Sequence, residues 1–209
     1  MDELLADQLD GMCESILKRF STAFNIGTGR MEMMMAGTEG MERMIQGVKV
    51  NERYIELLGK MQRFRDQGER MYALALNLMV QYKRQEAARW LKRMRDLGEE
   101  LGFLGLECRA FQGLGQLANE EGRHEAAAEL LRNALAAAPL DENENGISEL
   151  NVLTDLLDTL FKLNAVDEAA PLLPRFEAAA KALSGRMGGH RCPFELISLY
   201  WSAKLHEVL

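Results

Sequence analysis

An internal repeat constrains this chain more than any other feature. Three segments align: ALALNLMVQYKRQEAARWLKRM, FQGLGQLANEEGRHEAAAELLRNALAAAP and LTDLLDTLFKLNAVDEAAPLLPRFEAAA. The triplet Glu-Ala-Ala returns at 86–88, 125–127 and 168–170, a period of about 40 residues. Within each unit the apolar residues recur at steps of three and four, and a short polar turn divides the unit in two. That is the pattern of a helix hairpin. One hairpin leaves an apolar side uncovered, so consecutive hairpins must stack to bury it. The expected fold class is therefore all-α. The abundance of Ala, Leu, Glu, Met and Arg agrees, and runs of Val, Ile and Thr are absent.

Antiparallel helices approach closely only where small side chains lie at the crossing. Ala75 and Gly115 meet that need on first helices, and Ala87, Ala127 and Ala170 on second helices. Leu91, Met94, Leu131, Ala134 and Leu173 then fill the space beyond. Gly122 and Asn164 fall in turns, where a positive φ is tolerated. Pro139 is expected to close the second unit. Pro174 conflicts with a helix starting near Asp167, which predicts a kink or a late helix start there.

The flanks are also helical in pattern. Leu5, Leu9, Met12, Ile16 and Phe20 form one stripe, and Met31, Met34, Met41, Ile45 and Val48 a second, interrupted by glycines. Residues 25–29 read as a turn. Tyr54, Leu58, Met61 and Phe64 mark a third helix ending near Gln67-Gly68. The chain thus divides into an N-terminal helical extension (1–68), three helix pairs (69–183), and a loop with a terminal capping helix (184–209). Phe194, Ile197, Trp201, Leu205 and Val208 share that last helix's apolar face.

The stretch Phe111–Pro139 resembles a tetratricopeptide repeat. It carries Phe111, Leu114-Gly115, Ala118, Gly122 in the turn, Ala127, Leu131, Ala134 and the closing Pro139. The first unit has Tyr82-Lys83-Arg84 where a turn glycine is usual, and the third has Asp158 where a small residue is usual. The longer spacing is similar to the long-helix variants of that family, such as those of kinesin light chains and bacterial peptide-sensing regulators. The resemblance covers about residues 69–183. It implies a right-handed superhelix whose first helices line a concave groove that takes peptides or helices of other proteins. By position in the motif, the groove would present Tyr72, Leu76 and Met79; then Arg109, Gln112, Gln116 and Asn119; then Asp155, Thr159 and Lys162. The middle set forms a polar stripe opposite the apolar face of Leu104, Cys108, Phe111, Gly115 and Ala118. Amides both donate and accept hydrogen bonds, as a reader of peptide backbone must.

Composition and motifs narrow the function. A net charge of −7 opposes general binding to nucleic acid or anionic membranes. No apolar run is long enough to span a bilayer, and the N-terminus lacks a signal-peptide pattern. Three distant cysteines, Cys13, Cys108 and Cys192, suit a reducing, cytoplasmic setting. Asp141–Gly146 resembles the start of a calcium loop, but the twelfth position is Val152 rather than a bidentate glutamate. His190 and Cys192 are too few for zinc. Gly27-Thr28-Gly29 lacks the further residues of a nucleotide loop. Neither a metal nor another cofactor is expected. No nucleophile–base arrangement can be assembled, so enzymatic activity is not expected.

The expected role is a scaffold or adaptor holding another protein. The alternative is a structural subunit of a homo-oligomer or larger complex, associating through Met31, Met33, Met34, Met35, Met41 and Met44 and through its outer faces, with the groove filled by the chain itself. A helical enzyme is a third and lesser reading. Arg89, Lys92 and Arg93 share one face, which reads as solvated surface or as a dock for an acidic partner.

Overall fold

The computed structural model describes residues 37–138, 147–186, 197–199, 201–202 and 205. Every element among them is helical: α1 Gly37–Lys60, α2 Phe64–Val80, α3 Arg84–Leu101, α4 Leu104–Glu120, α5 His124–Ala137, α6 Ile147–Lys162, α7 Val166–Ala169 and α8 Leu172–Arg186. The chain forms two compact units, Met1–Leu106 and Glu107–Leu209.

Five helices, α1 to α4 and α6, end in one recurring way. Gln62, Tyr82, Gly102, Gly122 and Asn164 adopt φ of 57, 61, 69, 74 and 55°. From Gln62 to Gly122 such a residue recurs every twentieth position. The residue after each one donates its N–H to a carbonyl five positions back: Arg63 to Leu58, Lys83 to Leu78, Phe103 to Gly98, Arg123 to Ala118 and Ala165 to Leu160, at 2.8–2.9 Å. This six-to-one bond of a left-handed helix stop satisfies a carbonyl that the helix leaves orphaned and turns the chain back. Gly122 and Asn164 tolerate that conformation. Gln62 and Tyr82 adopt it against a penalty of about 1–2 kcal/mol.

In the first unit α1 packs on α2 and α2 on α3. The buried faces include Tyr54, Ile55 and Leu58 of α1, Met71, Leu74, Ala75, Leu78 and Met79 of α2, and Ala87, Leu91 and Met94 of α3. The helix expected to end near Gly68 ends at Lys60 instead, and Gly68 lies inside α2. The glycine marks a close approach: a Cβ there would fall 2.4 Å from Leu106 Cδ1. The expected boundary at residue 68 therefore falls within a helix.

In the second unit α6 carries Leu150, Leu153, Leu156, Leu157 and Leu160 into a core shared with Cys108, Leu131, Leu135, Leu173 and Phe176. At Gly115 of α4 an added Cβ would lie 2.8 Å from Leu131 Cγ and 3.4 Å from the Ala127 carbonyl oxygen, so the small residue sets the α4–α5 crossing. Ala87, Ala127 and Ala169 are each fully buried, five residues beyond a left-handed position. The sequence expectation of Ala170 is thereby shifted by one, because the third Glu-Ala-Ala triplet is out of phase with the second relative to its turn. The late start expected at Pro174 is present: α7 ends at Ala169 and α8 begins at Leu172, placing Pro174 in its first turn. Trp201 is buried and stacks on Phe161, with centroids 5.2 Å apart and planes 2° from parallel. Ile197 and Leu205 also pack against this core, as expected of the terminal cap, whereas Phe194 and Val208 lie outside the described residues. Exposed ion pairs join Arg132 to Glu168 at 2.6 Å and Arg175 to Glu149 at 2.6 Å.

Gln62→Gly should raise stability by about 0.5–1 kcal/mol in urea unfolding, because it removes the left-handed penalty at the expense of a more flexible unfolded chain. Gly122→Ala should lower it by about 1 kcal/mol. Gly115→Leu should lower it by about 3 kcal/mol through overpacking against Leu131. Equal effects at all three positions would contradict this account of the turns and crossings.

Candidate functional site

The polar stripe expected on α4 is present, but it is not open along its length. Gln112 is only 7% exposed, and Arg109, Gln116 and Asn119 are half-buried. The stripe meets α6. Gln112 Nε2 donates to Asp155 Oδ2 at 2.7 Å, and Gln116 Nε2 donates to the same oxygen at 2.9 Å. Asn119 Nδ2 donates to Thr159 Oγ1 at 2.6 Å, and that hydroxyl donates to the Asp155 backbone carbonyl at 2.7 Å. His124 Nδ1, at the first residue of α5, lies 3.0 Å from Asn119 Oδ1. These bonds form one polar seam from α5 through α4 to α6, inside the second unit.

Helical spacing explains the alignment. Gln112, Gln116 and Asn119 are separated by four and three residues, as Asp155 and Thr159 are by four, so each set occupies one side of its helix. Beneath the seam, Leu156 and Leu160 are buried in the apolar core.

The carboxyl of Asp155 is pushed above the ordinary carboxylate range. Burial between the helices is the largest cause. The two glutamine amides and the Lys162 charge act the other way, and Asp158 adds to the rise. Lys162 Nζ is itself 2.5 Å from Asp158 Oδ2. Asp155 is thus oriented by neutral amides, with no cation bonded to it among the described residues.

The other expected groove residues have mixed placements. Thr159 is fully buried within the seam, and Lys162 is exposed. In the first unit Tyr72 and Leu76 are half-buried. Met79 is fully buried, as are Leu78 and Ala75, so it is not open to solvent. A residue one helical turn beyond Ala75 shares its packed side, and apolar periodicity alone does not separate core from groove.

Other sequence candidates can also be located. Arg89, Lys92 and Arg93 are exposed on α3, and Arg93 lies 4.5 Å over the Trp90 ring. A cleft of about 250 Å³ in the first unit is lined by Tyr54, Arg63, Asp66, Glu69, Arg70 and Ala73. It falls below the roughly 300–1,000 Å³ of ordinary small-molecule sites. Met31 to Met35, the 141–146 loop, His190 and Cys192 lie outside the described residues, as do the side chains of Met41 and Met44. Val152, at the calcium loop's twelfth position, is fully buried in the core. Cys108 is buried and unbridged. No helix among the described residues is long and apolar enough to cross a membrane.

No protein-family model matches this chain, and no curated protein matches it. The site is therefore read from its own residues.

Two substitutions separate the charge of Asp155 from its role as acceptor. Asp155→Ala should cost about 1–3 kcal/mol, because the buried Gln112 amide loses its acceptor. Asp155→Asn keeps an oxygen for both amides and removes the buried charge, so at pH 8 it should match or exceed the wild type. Burial raises the folded-state pKa, so the folded chain binds the proton more tightly than the unfolded chain. The penalty of the charged form is complete above the folded pKa and vanishes below the unfolded one. The advantage of Asp155→Asn should therefore shrink as pH falls through that window, as followed by urea unfolding. A variant less stable than wild type at pH 8 and insensitive to acid would contradict the account.

Proposed function

We propose that this protein is a scaffold or adaptor: a right-handed superhelix of tetratricopeptide-like helix pairs that holds a peptide or helix of another protein against its first helices. The side-chain bonding of α4 to α6 carries the reading, with Gln112 and Gln116 meeting Asp155 and Asn119 meeting Thr159. These partners are 39–43 residues apart, close to the repeat length. In a stack of hairpins the first helices of successive pairs stand side by side and line a common surface. Polar contacts at that side, with an apolar core on the other, suit a solvated inner face that receives a ligand. The recurrent turn supports the same reading, since a repeated stop turns the chain back in the same way each time.

The binding surface proposed for the second unit is narrower than the sequence stripe. Gln116, Asn119, Asp155 and Lys162 keep contact with solvent, while Gln112 and Thr159 hold the two helices together. Tyr72 and Leu76 remain the candidates on α2. Three cysteines far apart in the sequence suit a reducing compartment such as the cytoplasm.

Affinity purification of the tagged full chain, compared with Gln116→Ala/Asn119→Ala, tests the proposal. Both forms should melt cooperatively, and the variant should lose at least one protein that the wild type retains. Equal recovery of every partner would contradict groove binding. Elution well above the monomer mass with no other protein retained would favour the self-associating subunit instead.

A further inference from the structure

We propose that the α4–α6 seam receives a basic side chain, an arginine or lysine of the partner's segment, through Asp155. This inference rests on the scaffold reading and names the ligand chemistry of its site. It follows from which hydrogen-bonding groups the seam consumes and which it leaves.

The seam uses donors. Gln112 and Gln116 each direct an amide N–H to Asp155 Oδ2. Asn119 gives its N–H to Thr159, and the Thr159 hydroxyl gives its hydrogen to a backbone carbonyl. What remains at the centre is one N–H on each amide and, beside the carboxylate, a set of acceptors. Asp155 Oδ1, Gln112 Oε1 and Gln116 Oε1 have no hydrogen-bond partner among the described residues, and none of the three is a fully enclosed orphan. Gln112 is more than nine-tenths buried, so its oxygen is held in place by the fold. A carboxylate or phosphate would meet the like charge of Asp155 here. A guanidinium or ammonium offers donors alone, and the planar fork of arginine can span a carboxylate oxygen and an amide oxygen together.

Charge points the same way. Asp155 is enclosed by neutral amides, and Lys162, whose charge reaches it, is paired with Asp158. The carboxylate is under-compensated, and burial holds its proton affinity up. An incoming cation would satisfy the unused oxygen and relieve that condition. The loss of one such charged hydrogen bond corresponds to a roughly ten- to hundredfold weaker complex.

Selection of displayed random twelve-residue peptides on the full-length wild type and on Asp155→Asn tests the proposal. Thermal unfolding should first establish that the variant folds as the wild type does. Wild type should select a convergent family with Arg or Lys fixed at one position. Replacing that residue by norleucine should weaken binding to wild type roughly ten- to hundredfold. On Asp155→Asn the same replacement should change affinity less than threefold. A convergent family without a fixed basic residue, or the same basic preference on Asp155→Asn, would overturn this inference and leave the scaffold reading standing. No convergent family on wild type would overturn both.

Discussion

Each helix hairpin among the described residues depends on a backbone stop. A helix ends, one residue turns left-handed, and the next N–H reaches back to a carbonyl five positions earlier. That bond fixes where the helix ends and the direction in which the chain leaves it. The apolar stripes of the adjoining helices are then brought face to face, and small residues set the approach. Gly115 against Leu131 and the buried Ala87, Ala127 and Ala169 are the consequences. Gln62 and Tyr82 accept the left-handed region without a glycine's freedom, so the surrounding packing outweighs a local penalty of about 1–2 kcal/mol at each. The turn is imposed by the stack as much as by its own residues.

The polar seam in the second unit works against this background. An apolar pair of helix faces would hold α4 to α6 without enclosing a charge. Here three amides of α4 meet a carboxylate and an alcohol of α6, and the carboxylate is kept in a setting that disfavours its ionised form. Stability alone does not require that arrangement. It does orient the carboxylate and leave acceptors beside it. The hydroxyl of Thr159 shows how closely the two roles are interleaved: it bonds its own helix backbone and receives the amide of Asn119.

Much of the fold was legible because it is carried by local pattern. Leucine and alanine spacing marked the helices, Gly122 and Asn164 marked turns, and Pro174 foretold the restart at Leu172. What escaped depends on contacts distant in sequence. Gly68 resembled a helix end because its partner, Leu106, lies on another helix. Gln62 and Tyr82 carry no turn preference of their own, and only a twenty-residue spacing of stops could have disclosed them. The α4 stripe was visible as a polar face, yet the pairing of Gln112 with Asp155 spans 43 residues and cannot be read from either helix alone.

The central claim is that α4 and α6 are direct neighbours joined through polar side chains. A double-mutant cycle on Asn119→Ala and Thr159→Val, followed by urea unfolding, measures that contact without reference to any ligand. The account predicts non-additive losses, with a coupling of about 0.5–1.5 kcal/mol. Strictly additive losses would mean that the two side chains do not meet, and the α4–α6 seam would have no basis.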